Sequence, residues 1–152
     1  MLRQRFTEAL KSALKSGDQR RVSALRLILA ALKDRDIAAR EQGNRDGIAE
    51  DAVLQLLSNM VKQRRESIKL YEQGNRADLV KQEQDEILVI ESFMPQQMAE
   101  AEVQKAVADA IAEIGASGLK DIGRTMGVLK TRYAGRMDFG KASEYVRKTL
   151  AA

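Results

Sequence analysis

A single proline, Pro95, interrupts a chain of 152 residues whose apolar residues otherwise recur at intervals of three and four. This is the spacing of one face of an α-helix, and no stretch sustains the alternation typical of a β-strand. Because proline lacks a backbone N–H and crowds the preceding turn, an α-helix cannot continue through Pro95. The sequence therefore predicts an all-α protein with a domain boundary here, separating residues 1–94 from residues 95–152.

Four helical patterns precede the boundary, over residues 2–15, 18–42, 50–73 and 76–93. Turns that contain glycine separate them, and short connections place consecutive helices side by side and antiparallel. The stretch ALRLILAAL in the second pattern has an apolar face too wide for a single neighbour, so this helix should lie centrally. Residues 1–94 are thus predicted to form an antiparallel four-helix domain.

Three shorter helical patterns follow Pro95. The first ends at Gly115, Ser117 is expected to cap the second, and Asp138 is expected to cap the third. Short helices bury little apolar surface, so residues 95–152 are predicted to form a small three-helix tail.

Cysteine and histidine are both absent from the chain. The absence of cysteine excludes disulfides and Cys-based metal sites, and the absence of histidine removes the side chain best suited to proton transfer near neutral pH. The neighbouring carboxylates Asp85 and Glu86 are expected on a polar helix face, where they suggest no catalysis. No catalytic residue, metal site or cofactor is therefore expected.

Basic residues concentrate near the C-terminal end, where residues 120–152 hold eight basic and three acidic side chains. A local basic surface of this kind favours nucleic acid, an acidic protein or an anionic lipid. The N-terminal residues carry charges throughout and do not resemble a secretory signal, and no apolar run is long enough to span a bilayer. A cytoplasmic protein is the natural expectation.

The segment GRTMGVLKTRYAGRMDFGK, residues 123–141, concentrates glycines and cations. It lacks the glycine spacing and the preceding strand of a phosphate-binding loop. Gly123 and Gly127 fall on one helix face, where two interpretations stay open. The face either allows another helix or backbone to approach closely, or it admits a phosphate backbone while Lys120, Arg124 and Lys130 reach in from its edges.

A second candidate surface lies on the last helix, where Lys141, Tyr145 and Lys148 share one face. An aromatic ring between two cations suits a nucleotide base or ribose beside phosphates. Alternatively, Tyr145 half-covers the core and keeps its hydroxyl in water. The spacing alone does not decide between the two.

Three stretches of the sequence resemble the YqeY family. They are residues 62–98, residues 114–143, which include GASGLKDIG and AGRMDFGK, and the ending YVRKTL. This family is similar to the C-terminal helical and tail region of GatB, the B subunit of the tRNA-dependent amidotransferase. The resemblance implies a larger helical domain followed by a small helical tail. It also implies a region that helps to hold tRNA, while the glutamine-dependent carbon–nitrogen ligase chemistry belongs to other domains and another subunit.

The resemblance and the residues together predict a tRNA-binding module that is non-catalytic by itself. The expected phosphate contacts are Lys120, Arg124, Lys130, Arg132, Arg136, Lys141 and Lys148, with Gly123 and Gly127 allowing close approach and Tyr145 beside a base or ribose. The alternative is a protein-interaction adaptor whose basic tail docks on an acidic partner.

Overall fold

The computed structural model describes residues 1–152 and contains seven α-helices and no β-strand. The prediction of an all-α fold is therefore confirmed. The helices are α1 (Leu2–Ser16), α2 (Gln19–Glu41), α3 (Glu50–Gln73), α4 (Ala77–Glu91), α5 (Glu100–Ile114), α6 (Ile122–Arg132) and α7 (Phe139–Ala151). The chain divides into two compact units, Met1–Met94 and Pro95–Ala152.

In the N-terminal unit α2 packs against α1, α3 and α4, which confirms its predicted central place. Its side chains Leu25 and Ile28 are fully buried because apolar residues occupy more than one face of this helix. Phe6 of α1 meets Phe93 edge to face, with 5.0 Å between the ring centroids. Glycine at position 17 ends α1 in the left-handed conformation, and the Asp18 carboxylate then caps α2 by accepting the N–H of Arg21.

A partly buried ion pair joins α3 to α4. Arg64 Nε donates to Glu86 Oε2 at 2.9 Å, and the two side chains are only 13% and 14% exposed. The expectation that Glu86 lies on a purely polar face is therefore wrong, because the Arg64 stem lies along the apolar side of α3 and brings its guanidinium to Glu86. Nearby, Glu83 is half-buried, and burial together with the Glu86 charge raises the pKa of the Glu83 carboxyl, with Arg64 acting in the opposite direction.

Replacing Glu83 by glutamine is expected to stabilise the protein at neutral pH. A carboxyl whose pKa is raised in the folded state destabilises that state as pH rises through its ordinary value, and the penalty persists above the raised value. The stabilisation should therefore vanish below the ordinary glutamate pKa, where both forms are uncharged. Denaturant midpoints of E83Q and the parent across this pH range measure the difference. The exposed, unpaired Glu66→Gln provides the control, and equal pH profiles for E83Q and parent would contradict the assignment.

The C-terminal unit is built from α5, α6 and α7, each of which packs against the other two. Its core contains Val107, Leu129, Ala142 and Val146, all almost fully buried. The Asp138 carboxylate accepts the N–H of Gly140 at 2.8 Å, which confirms the predicted cap of α7.

The start of α6 differs from the prediction. Ser117 does not cap it, because a 3₁₀ turn at Leu119–Asp121 intervenes and α6 begins at Ile122. The backbone N–H of Ser117 instead donates to Asp121 Oδ2 at 3.0 Å. The loop before α6 is therefore fastened by a buried carboxylate and not by the Ser117 hydroxyl.

Candidate nucleic-acid interface

Two glycines lie in the open on one side of α6. Gly123 and Gly127 are exposed, and a Cβ built on either would meet nothing within 4 Å. At about 100° per residue, Gly123, Gly127, Lys130 and Thr131 lie within about 100° of arc, opposite the buried Leu129 side. We call this exposed side of α6 the glycine face.

The glycine face settles one of the two interpretations of Gly123 and Gly127. No helix or backbone of this chain approaches them, so the interpretation of close packing within the molecule is wrong. An exposed glycine inside a helix costs about 1 kcal/mol relative to alanine, and no internal contact offsets that cost here. The open surface that a phosphate backbone would need is present.

The predicted lysine contacts are available to a ligand. Lys120, Lys130, Lys141 and Lys148 are all exposed and take part in no ion pair. Lys120 lies in the 3₁₀ turn three residues before Gly123, and Lys130 lies three residues after Gly127. The glycine face is therefore flanked at both ends by an unpaired cation.

The three predicted arginine contacts are engaged within the protein. Arg132 holds Glu113 of α5 through both terminal nitrogens, at 2.7 and 2.9 Å, and this hydrogen bonding lowers the pKa of the Glu113 carboxyl. Because Arg132 is nine residues after Gly123, it lies about half a turn from that glycine around the helix. Arg136 Nε donates to the carbonyl of Gln96 at 3.1 Å.

Arg124 lies closer to the glycine face and is also bonded. Its Nη2 donates to the carbonyl of Ile114 at 2.9 Å, and its Nη1 lies 3.3 Å from Asp121 Oδ1. The bond to Ile114 satisfies a carbonyl at the C-terminal end of α5, where cations are favoured. Arg124 therefore joins the end of α5 to the start of α6.

Tyr145 packs partly buried against the core of the C-terminal unit, and its hydroxyl donates to Glu100 at the start of α5. That hydrogen bond raises the pKa of the Tyr145 phenol. The hydroxyl is thus not left in water, as the bland interpretation had it, although the half-covered ring agrees with that interpretation. Lys141 and Lys148 flank Tyr145 on this side of α7.

Asp121 is the residue of this region that the sequence prediction missed. It is only 6% exposed, and it accepts the backbone N–H of Ser117. This hydrogen bond, with further help from Gly118, Arg124 and Lys120, lowers the pKa of the Asp121 carboxyl, so that it stays charged. The available signal was its place in the segment SGLKDIGR, immediately before the helix and three residues ahead of an arginine.

Comparison with known families assigns the chain. The family model described as Yqey-like protein matches residues 3–150, which is nearly the whole sequence. The chain belongs to the YqeY-like family. The resemblance drawn from residues 62–98 and 114–143 is thereby confirmed, and the family assignment by itself specifies no activity.

Several curated relatives of this YqeY-like chain carry the name "Altered inheritance of mitochondria protein 41, mitochondrial". The protein of Lachancea thermotolerans is 33% identical over 107 residues, covering 69% of this chain and 55% of the relative. That of Eremothecium gossypii is 34% identical over 102 residues, covering 66% and 54%. That of Saccharomyces cerevisiae strain S288c is 31% identical over 87 residues, covering 57% and 45%. The chain thus spans about half the length of the curated relatives it matches.

The remaining chemistry of the YqeY-like chain is sparse in side-chain clusters. No group of three or more acidic side chains is gathered in a way that could hold a metal ion. None of the helices combines the length and apolar character needed to cross a membrane. The features that suit a ligand are therefore the glycine face, the unpaired lysines and the bonded arginines of the C-terminal unit.

Proposed function

We propose that this YqeY-like chain is a cytoplasmic tRNA-binding module that contacts the tRNA backbone and carries out no amide transfer by itself. The observation that carries the proposal is the glycine face, open at Gly123 and Gly127 and flanked by the unpaired Lys120 and Lys130. The similarity of the family to a tail region of the amidotransferase B subunit supports the choice of tRNA as ligand.

Physical reasoning favours a polyanion at this surface. Without Cβ atoms, the backbone of α6 can come close to a phosphate chain, and the lysine side chains can neutralise phosphates on either side. Such contacts are sequence-tolerant because they recognise phosphate and ribose and not base edges. In a glutamine-dependent carbon–nitrogen ligase, a part of this kind would hold the RNA while other domains perform the chemistry.

A binding titration with unfractionated tRNA over a salt series tests the proposal. The expected result is binding at low salt whose affinity falls steeply as salt rises, because each phosphate contact releases counterions. No binding at low salt would refute the proposal.

The adaptor alternative predicts a different outcome from the same purified protein. An adaptor would retain an acidic protein partner from lysate treated with nuclease, whereas an RNA-binding module would lose partners bridged by RNA. Retention of that protein together with failure of the tRNA titration would replace our proposal with the adaptor function.

Replacing Gly123 and Gly127 together by alanine is expected to separate stability from binding. The double variant should be more stable by about 1–2 kcal/mol, because alanine favours the helix and neither methyl group meets a neighbour. The same methyl groups should hold a phosphate backbone away and weaken tRNA binding about fivefold. Thermal unfolding and tRNA titration measure the two effects.

The control is Gly74→Ala at the end of α3. Its Cβ would meet only the Leu70 and Tyr71 carbonyl oxygens, at 3.6 and 3.8 Å, so the variant should leave tRNA binding unchanged. If G123A/G127A gained stability and bound tRNA as the parent does, the glycine face would not be the ligand surface.

A further inference from the structure

We infer that Asp121 is a positioning residue that holds the Arg124 guanidinium in place as a fixed fork for one phosphate at the edge of the glycine face. The inference rests on the proposed function, and it adds a residue and a contact geometry to the lysine contacts described above. It distinguishes Arg124 from the other cations, whose contribution would depend on charge alone.

The position of Arg124 combines exposure with restraint. Its side chain is 63% exposed, while two of its nitrogens are tied to Ile114 and Asp121. Arginine carries five N–H donors, so three remain without a partner. A guanidinium that is already oriented loses less freedom on binding a phosphate than a mobile lysine does.

Asp121 is itself firmly held. Its side chain is 9% exposed and accepts the Ser117 N–H, while its own backbone carbonyl accepts the buried Thr125 hydroxyl at 2.9 Å. These bonds fix the carboxylate from the loop on one side and from α6 on the other. The guanidinium that meets it is therefore directed by residues that have little freedom of their own.

The surroundings of Arg124 leave room for a ligand. Gly115 and Gly118 lie in the loop that Asp121 fastens, and a Cβ at either would meet nothing within 4 Å. Lys120 precedes Arg124 by four residues, which is one helical turn, and it is exposed and unpaired. A phosphate at this edge would thus meet a fixed fork and a mobile ammonium beside an open backbone.

Charge-conserving substitutions test the inference. Arg124→Lys keeps the charge and removes the fork, so we expect tRNA affinity to fall about fivefold while the salt dependence changes little. Arg132→Lys is the matched control. It removes a fork bonded to a carboxylate in the same way, but about half a turn from Gly123, and should change affinity by less than about twofold.

Asp121→Asn tests the positioning role directly. We expect a loss similar to that of R124K, and little further loss when R124K is added to D121N, because both changes remove the same fixed fork. Circular dichroism establishes that each variant is folded. Asp121→Glu, which moves the carboxylate by one methylene and keeps its charge, is used in the same cycle if D121N does not fold.

The outcomes separate this inference from the proposed function. If the parent protein does not bind tRNA, the proposed function fails. If the parent binds and R124K binds equally well, the fixed fork is refuted while the proposed function stands. If D121N and R124K weaken binding by independent, multiplying factors, Asp121 does not act through Arg124 and the positioning role is refuted.

Discussion

Replacing Lys120, Lys130, Lys141 and Lys148 together by glutamine is expected to weaken tRNA binding by about a hundredfold or more at low salt. All four ammonium groups are exposed and unpaired, so each is free to release a counterion from the RNA when it meets a phosphate. Each contact contributes about 0.7–0.9 to the slope of log K against log salt. The variant should therefore also show a slope smaller by up to about three units, measured by titration across a salt series.

The chain offers a matched control in its N-terminal unit. Lys11, Lys15, Lys62 and Lys69 are likewise exposed and without ion pairs, and their replacement by glutamine changes the net charge by the same amount. If binding depended only on the overall charge, the two quadruple variants would lose affinity equally. That result would contradict an interface on the C-terminal unit, whereas near-parental binding by the control would support it.

The secondary structure was largely predictable because its determinants are local. The glycine at position 17 and the aspartate that follows it end one helix and cap the next, and Asp138 caps α7 as expected. Apolar spacing identified α2 as the central helix. The beginning of α6 was not predictable in this way, because it depends on a buried Asp121 carboxylate that replaces the expected Ser117 cap.

The candidate interface was predictable in its residue types but not in their availability. In sequence, Lys130 and Arg132 are equivalent cations on a short helix, yet only the lysine is unpaired. The difference has a physical cause, since the planar guanidinium can satisfy two acceptors at once and reaches carboxylates and helix-end carbonyls that a lysine ammonium binds less specifically. No local pattern shows which acceptors lie within its reach.

The glycines illustrate the same limit from the opposite side. A glycine pair at helical spacing signals missing side chains, but whether another element fills the space depends on the tertiary packing. At Gly123 and Gly127 nothing fills it. The structure thus turned an ambiguous small-residue pair into an exposed surface, and this is why the glycine face carries more of the functional argument than the arginines do.

Replacing Leu129 by alanine is expected to unfold the C-terminal unit and abolish tRNA binding. Leu129 is fully buried where α6 packs on its neighbours, and leucine-to-alanine changes at such positions cost about 2–5 kcal/mol. A unit with so small a core has a net stability of only a few kcal/mol, so a loss of this size is comparable with the whole. Amide hydrogen exchange should therefore increase throughout α5, α6 and α7.

Leu57→Ala supplies the matched control, because Leu57 is equally buried in the core of the N-terminal unit. It should increase exchange in α1–α4 and leave the protection of α5–α7 and the affinity for tRNA close to parental values. Exchange that rose uniformly over the chain in both variants would show that the two units unfold as one. Retention of tRNA binding by an unfolded L129A tail would place the interface elsewhere, because a fixed glycine face requires a folded α6.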